Sequence, residues 1–222
     1  MKFKLTLLLI CFIAGAAQSQ RIEWDSTHRP GSFELKVAHF KSYSNSKKDI
    51  VFLGNSITAG TDWMELLQSP RVRNRGISGD ITFGVLERLH EVTEGQPEKV
   101  FVLIGINDIS RNIPDEVILR NYQKIIDRIQ AGSPRTKIYF QTLMPTNNTF
   151  TKFKNHYNKD EHIIAVNKGL KEIAVKENIT LIDLHPHFLD KEGRLNKDYT
   201  YDGLHLNASG YKAWAEVLKS YL

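Results

Sequence analysis

The serine at position 56 is the first residue of this 222-residue sequence whose type and setting could do chemistry. It follows an apolar run, Ile50–Leu53, within the segment GNSIT, so a turn from a strand into a helix is predicted there. The free N–H groups at the start of such a helix face a negative charge that develops nearby. Ser56 is therefore a candidate nucleophile, although its side chain could instead simply cap the helix.

A second candidate group, Asp202 and His205, lies near the end of the chain. A separation of three residues lets the carboxylate accept the Nδ1 proton of the imidazole and leaves Nε2 free to face Ser56. The pattern predicts a general base with its orienting partner. An ordinary surface loop would be the alternative.

Two further segments could supply hydrogen-bond donors to an oxyanion. The segment Asn74–Asp80 (NRGISGD) contains Gly79, and glycines let backbone N–H groups approach a ligand closely. The segment Gly105–Asp108 (GIND) contains Asn107, a neutral amide donor, although it could also be a plain turn after a strand. The four segments together supply a nucleophile, a base and two donors, which is the set that an acyl-transfer site needs.

Short apolar runs that alternate with helical patterns must position these segments. The predicted strands are Ile50–Leu53, Val72–Arg75, Val100–Ile104, Ile138–Phe140 and Thr180–Leu184. The predicted helices are Trp63–Leu67, Phe83–Val92, Pro114–Gly132, Glu161–Glu177 and Ala208–Leu222. The alternation predicts a three-layer α/β/α sandwich, flavodoxin-like, with about five parallel strands. Since ligands of such sheets bind beyond the carboxyl ends of the strands, the four segments are expected to meet there.

In order and spacing, the four segments resemble those of the SGNH hydrolases, also called the GDSL esterase/lipase superfamily, from Asp49 to Leu222. The resemblance implies Ser56 as nucleophile, His205 as base and Asp202 as its partner. It also implies an oxyanion hole formed by the backbone N–H groups of Ser56 and Gly79 and by the Asn107 amide. Asn55 stands where the family usually has Asp, which leaves the hydrogen bonds of that loop open.

The segment after His205 resembles a narrower group. Leu206-Asn207 and Gly210-Tyr211 are similar to exported members that act on O-acetylated sugars, including sialate O-acetylesterases. This resemblance implies a serine esterase for short acyl groups, most simply acetyl. A lysophospholipase or thioesterase for longer acyl chains is the alternative, and a non-catalytic carbohydrate-binding module is a third reading.

The N-terminus has the pattern of a secretory signal. Lys2 and Lys4 precede the uncharged run Leu5–Ile13, and small residues at Ala14–Ala16 follow. We expect residues 1–18 to be removed on export and the mature chain to be periplasmic or secreted. Nine residues are too few to cross a bilayer, so an uncleaved anchor is less favoured. A lipoprotein anchored through Cys11, the only cysteine, is disfavoured by the bulky Ile10.

Residues 19–48 are predicted to be an N-terminal extension with one short helix, because Phe33, Val37 and Phe40 recur at helical spacing. Residues 49–222 then form the hydrolase domain. Removal of two lysines with the signal lowers the formal charge from +5 to +3, and no basic run indicates nucleic-acid binding.

The sequence predicts no cofactor and no metal. Neither a phosphate-binding loop of the type GxxxxGK[ST] nor a GxGxxG dinucleotide fingerprint occurs. His185 and His187 could bind a metal, but no further Cys is available, so a structural role is favoured. The loop 147–156 contains Phe150 and Phe153, which could wall a pocket or belong to a plain surface loop. The expected partner is a small ester or a glycan ester.

Overall fold

A parallel sheet forms the centre of the computed structural model, which describes residues 24–222. The strands are β1 (Ile50–Gly54), β2 (Val72–Gly76), β3 (Lys99–Leu103), β4 (Lys137–Gln141) and β5 (Thr180–Ile182). They lie in the order β2-β1-β3-β4-β5, and every pairing is parallel. All residues of β1 and β3 are buried, because helices cover both faces of the central strands.

Helices pack on the two faces of this sheet. They are α1 (Phe33–Ser42), α2 (Ser56–Ala59), α3 (Trp63–Leu66), α4 (Thr82–Arg88), α5 (His90–Thr93), α6 (Ile106–Ser110), α7 (Asp115–Gly132), α8 (Asp160–Lys176) and α9 (Ala208–Leu218). On one side α7 packs between α4 and α8, and α5 contacts α1 and α4. On the other side α3 and α9 meet through Trp63 and Trp214, whose ring centroids are 4.7 Å apart. The predicted three-layer α/β/α sandwich is confirmed.

An aromatic column explains how the second face closes. Phe52, Phe101 and Tyr139 are partners in register on three adjacent strands. Their rings stack with centroids 4.9 Å and 4.6 Å apart, and Trp63 of α3 covers Phe52 at 4.3 Å. Such pairs add about 1 kcal/mol each beyond the burial of their apolar area. The column therefore fixes β1 and β3, the two strands that lead to Ser56 and Asn107.

The order of the strands places the site. From β1 the chain moves to β2 at one edge, whereas β3, β4 and β5 extend towards the other edge. The reversal lies between β1 and β3, where parallel sheets of this kind open a crevice. Ser56 directly follows β1, and Asn107 follows β3. The fold therefore brings two of the predicted side chains to the crevice.

Most predicted elements have bounds that differ by one to four residues in the structure, and two of the differences have a clear local cause. The fifth strand ends at Ile182 rather than Leu184, because the Leu184 N–H turns back to the carbonyl of Ile182 at 3.1 Å. The helix predicted over Phe83–Val92 is divided at Leu89, whose carbonyl accepts from Val92 N in a tighter three-residue turn. Both differences are local turn geometry that apolar periodicity does not encode.

The N-terminal segment packs onto the domain. Helix α1 buries Phe33, Val37 and Phe40, which form a small cluster with Ile77 just after β2. Residues 1–23, which include the predicted signal, lie outside the described residues. Among residues 24–222, no helix is both long and apolar enough to cross a membrane.

Candidate active site

The loop after β1 presents the Ser56 hydroxyl at the first residue of α2. Asn55 caps this helix, since its Oδ1 accepts a hydrogen bond from Ile57 N at 2.9 Å. The capping role considered for Ser56 therefore falls to its neighbour, and the serine side chain is free for another partner. The Asn55 amide nitrogen is buried without a hydrogen-bond partner among the described residues.

Ser56, His205 and Asp202 form a continuous hydrogen-bonded chain. The Ser56 Oγ lies 2.9 Å from His205 Nε2, and His205 Nδ1 lies 2.8 Å from Asp202 Oδ2. Burial alone would raise the pKa of Asp202, but hydrogen bonds from the backbone and ring of His205 bring it below its ordinary value. An ionised carboxylate on Nδ1 fixes the tautomer in which Nε2 accepts the serine proton.

A tight turn holds the carboxylate and the imidazole in this relation. Gly203 has φ +81°, and a Cβ there would lie 2.5 Å from the Asn147 carbonyl oxygen, so only glycine fits. The Thr200 hydroxyl donates to the His205 carbonyl at 2.6 Å and accepts from Gly203 N at 2.9 Å. Asp202 Oδ1 also accepts from His205 N at 2.7 Å. These hydrogen bonds hold the turn in one conformation.

Gly79 and Asn107 face the same cavity as Ser56. Gly79 has φ +81°, the left-handed conformation that glycine adopts without strain. Asn107 stands in the first turn of α6, and its Nδ2 donates to the Asp80 carbonyl at 2.9 Å. An amide nitrogen carries two hydrogens, so one remains for a ligand. The arrangement offers donors beside the nucleophile, as an oxyanion hole requires.

His156 is a further site residue, which sequence reasoning did not single out. Its Nε2 lies 3.0 Å from the Asn107 oxygen. Because the Asn107 nitrogen donates to Asp80, its oxygen must accept, and His156 carries its proton on Nε2. Burial, and then the charges of His205 and Arg111, lower the pKa of His156 to about 4. A neutral imidazole thus fixes the orientation of the Asn107 amide.

Ion pairs lie buried beneath the Gly79 loop. Arg88 Nε contacts Asp80 Oδ2 at 2.9 Å, and both side chains are fully buried. Arg88 also donates to the Gly54 carbonyl at 3.1 Å, which ties the end of β1 to Asp80 at the end of this loop. Glu91 connects Arg88 at 3.6 Å to Arg75 at 3.1 Å. Sequence reasoning missed this network; charged residues within the apolar pattern of the predicted helix were its only signal.

A further buried carboxylate, Asp108, fixes α6 against α4. It accepts hydrogen bonds from the Thr82 backbone N–H at 3.0 Å and from the Thr82 hydroxyl. Asn121 of α7 donates to the same hydroxyl at 2.7 Å. Burial raises the pKa of Asp108 to about 7. Since Asp108 adjoins Asn107, these bonds hold the amide donor in place.

A cavity of about 420 Å³ opens over these groups. It is lined by Ser56, Ser78, Gly79, Asn107, Ser110, Arg111, Phe153, His156, Leu204 and His205. Phe153 forms one wall, with its ring edge-on to His205 at 4.9 Å between centroids. Phe150, the other aromatic residue considered for the wall, lies outside the lining and packs close to Gly203.

His185 and His187, for which a structural role is predicted, do not line this cavity. Both lie in a short 3-10 turn after β5, and His185 N donates to the Thr142 hydroxyl at 3.1 Å. Within residues 24–222, no three His, Cys, Asp or Glu side chains converge to hold a metal ion.

Comparisons with known proteins identify the family. Residues 52–213 match the model of the GDSL-like lipase/acylhydrolase family. A solved Streptococcus pneumonia structure, described as a platelet activating factor, is 31% identical with a TM-score of 0.78. That match covers 86% of this chain and 91% of the other.

Two groups of curated proteins are also similar. An N-acylneuraminate cytidylyltransferase of Streptococcus agalactiae is 29% identical over 78% of this chain, which spans only 39% of that protein. The platelet-activating factor acetylhydrolase IB subunit alpha2 of Rattus norvegicus is 27% identical over 75% of this chain and 72% of its own length. The matched segment contains Ser56, Asn107 and His205. The chain belongs to the GDSL-like lipase/acylhydrolase family.

Proposed function

We propose that this protein is an exported serine esterase that removes short acyl groups, first of all acetyl, from carbohydrates such as O-acetylated sialic acid. The observation that carries the proposal is the chain of hydrogen bonds from Ser56 through His205 to Asp202, beside two oxyanion donors. The mechanism below assigns a role to each group.

In the first half of the reaction, His205 Nε2 takes the proton from Ser56 as Oγ attacks the ester carbonyl carbon. The carbonyl oxygen becomes an oxyanion, which accepts from the backbone N–H groups of Ser56 and Gly79 and from the Asn107 amide. One such donor stabilises the transition state by about 3–4 kcal/mol. His205 then gives its proton to the departing alcohol, and an acyl-Ser56 ester remains.

In the second half, water takes the place of the alcohol. His205 removes a proton from the water as its oxygen attacks the acyl carbon. The same donors hold the second oxyanion. Collapse of this intermediate releases the carboxylic acid and returns the proton to Ser56. Asp202 remains ionised throughout and stabilises the imidazolium that forms twice.

The lining of the cavity favours a short acyl group. Only Phe153 and Leu204 contribute large apolar side chains to it, and the rest of the lining is polar or glycine. A long acyl chain gains about 0.8 kcal/mol for each CH₂ that it buries, and this cavity offers little surface for such burial. One relative is named as an acetylhydrolase, which supports acetyl as the acyl group. Another is named as an N-acylneuraminate cytidylyltransferase, which supports a sialic acid as the sugar.

A series of p-nitrophenyl esters tests this proposal, with O-acetylated sialic acid assayed alongside. We expect kcat/KM to fall from acetyl to butyryl and to be negligible beyond hexanoyl, with full activity after exhaustive EDTA treatment. An increase from acetyl to octanoyl would make a long-chain lipase or thioesterase the better assignment. No hydrolysis of any ester would favour a binding module.

Export is tested separately. The proposal rests on the residue pattern of positions 1–18, so the protein recovered outside the cytoplasm of expressing cells should lack the mass of this segment. Recovery of the full-length chain from the cytoplasm alone would contradict it.

A further inference from the structure

A single arginine stands at the mouth of the cavity. Arg111 directly follows α6, and its backbone N–H donates to the carbonyls of Asn107 at 3.2 Å and Asp108 at 3.1 Å. The turn that carries the Asn107 amide therefore also sets the base of the arginine side chain. Arg111 is exposed to solvent and lines the same cavity as Ser56.

No carboxylate of the described residues 24–222 pairs with this guanidinium within 4.0 Å. The lining of the cavity contains no Asp or Glu. Asp25 feels the charge of Arg111, but its carboxylate accepts hydrogen bonds from the backbone and hydroxyl of Thr27 instead. An arginine with a solvent-exposed side chain elsewhere, Arg71, does form an ion pair, with Glu98.

The charge of Arg111 acts on two histidines near the site. Burial is the largest cause that lowers the pKa values of His156 and His28, and the charge of Arg111 lowers both further. Both rings therefore stay neutral near pH 7. A second cation lies beside the Phe153 wall of the cavity, where Lys152 Nζ is 5.4 Å from the ring centre of Phe153 and 6.0 Å from that of Tyr201. The cavity is therefore positive at its entrance.

We propose that Arg111 binds an anionic group of the ester substrate, a carboxylate or a phosphate, and thereby selects negatively charged acyl esters over neutral ones. A guanidinium offers paired N–H donors in a planar fork that matches either group. An acetyl group carries no charge, so the anion must belong to the alcohol portion. This inference rests on the proposed esterase function, and it narrows the sugar class to those that bear an acid.

A matched pair of substrates tests the proposal. 3-Acetoxybenzoate is an anionic acetyl ester, and 3-acetoxybenzamide is a neutral ester of nearly the same shape. The quantity to measure is the kcat/KM of the anionic ester divided by that of the neutral ester. This ratio cancels general losses of activity or folding. For Arg111→Gln we expect this ratio to fall about tenfold, since a hydrogen bond to a charged group contributes roughly 1.4 kcal/mol.

Arg135→Gln is the control. Arg135 is also exposed, but it lies just before the first residue of β4, at the amino ends of the strands, whereas the site lies at their carboxyl ends. The Arg135→Gln variant loses the same charge as Arg111→Gln, but its ratio of kcat/KM values should remain that of the wild type. The Arg111→Lys variant should retain part of the preference for the anionic ester. An unchanged ratio in Arg111→Gln, or an equal fall in Arg135→Gln, would overturn the anion site. Hydrolysis of neither ester by the wild-type protein would overturn the esterase proposal itself.

Discussion

The two sides of the site are built in different ways. On the base side, Asp202 and His205 are three residues apart, and one short turn holds both. On the oxyanion side, the Asn107 amide is held by the Asp80 carbonyl and by His156, which come from separate parts of the chain. The base side is thus a local structure, whereas the oxyanion side depends on tertiary packing.

The difference also concerns charge. Asp202 is the carboxylate of the base side, and its hydrogen bonds to His205 keep its pKa low. Beneath the oxyanion side, burial raises the pKa values of Asp80 and Asp108, although Arg88 opposes the shift at Asp80. In the proposed mechanism, proton transfer takes place on the base side, while the oxyanion side stays fixed during the reaction. We therefore expect mutations on the two sides to have different effects on catalysis and on stability.

The largest effect should come from the base itself. His205→Ala removes the group that accepts the serine proton, so kcat for p-nitrophenyl acetate should fall by about four orders of magnitude or more.

Asn107→Ala removes one oxyanion donor and should lower kcat by a factor of about 10²–10³. Steady-state kinetics and thermal melting of both variants check this order. Near-normal turnover by a folded His205→Ala protein would contradict the assignment of the base.

The buried ion pair beneath the oxyanion side should contribute to the stability of the folded protein. Arg88→Met leaves Asp80 buried without its cation, which should lower the free energy of unfolding by about 3–5 kcal/mol. Arg71→Met is the matched control, because its ion pair with Glu98 is 42% and 39% exposed and should contribute at most about 1 kcal/mol. Urea denaturation of both variants measures the difference. Equal losses would show that the buried network has no special role.

A smaller effect is expected at His156. His156→Leu removes the donor that orients Asn107, so kcat should fall about tenfold with little change in KM, because the oxyanion forms only after the substrate has bound. His156→Gln keeps an N–H donor and should recover most of the rate. Equal losses in the two variants would indicate that His156 acts only by packing.

The smallest effect is a pH dependence of stability. The folded protein keeps His156 neutral down to about pH 4, whereas its ordinary value is 6.5. Between these values the unfolded state binds the extra proton, so stability falls as the pH is lowered from 6.5 towards 4. At pH 5 the full effect would be about 2 kcal/mol, and solvent screening of this partly exposed ring reduces it to about 1 kcal/mol.

His156→Gln lacks this contribution. Its stability relative to the wild type should therefore rise by about 1 kcal/mol between pH 8 and pH 5. Urea denaturation of both proteins at the two pH values measures the change. A difference that does not vary with pH would mean that His156 titrates normally in the folded protein.

The same contrast explains what the sequence could predict. Ser56 and His205 were found because a serine after an apolar strand and a histidine three residues after an aspartate are local patterns. The parallel sandwich followed from the alternation of strands and helices. His156 and the pair of Asp80 with Arg88 could not be found this way, because their roles depend on partners 49 and 8 residues away in the chain. Only the packed fold brings these groups together.

The central claim is that Ser56 Oγ is the nucleophile. Its most direct test is the intact mass of the protein after treatment with a serine-directed fluorophosphonate, with the site of modification located by peptide mapping. We predict one adduct for each chain, on Ser56, with loss of esterase activity in proportion to labelling and no adduct on folded Ser56→Ala. Labelling of Ser56→Ala to the same extent, or full esterase activity in a chain labelled at Ser56, would contradict the account.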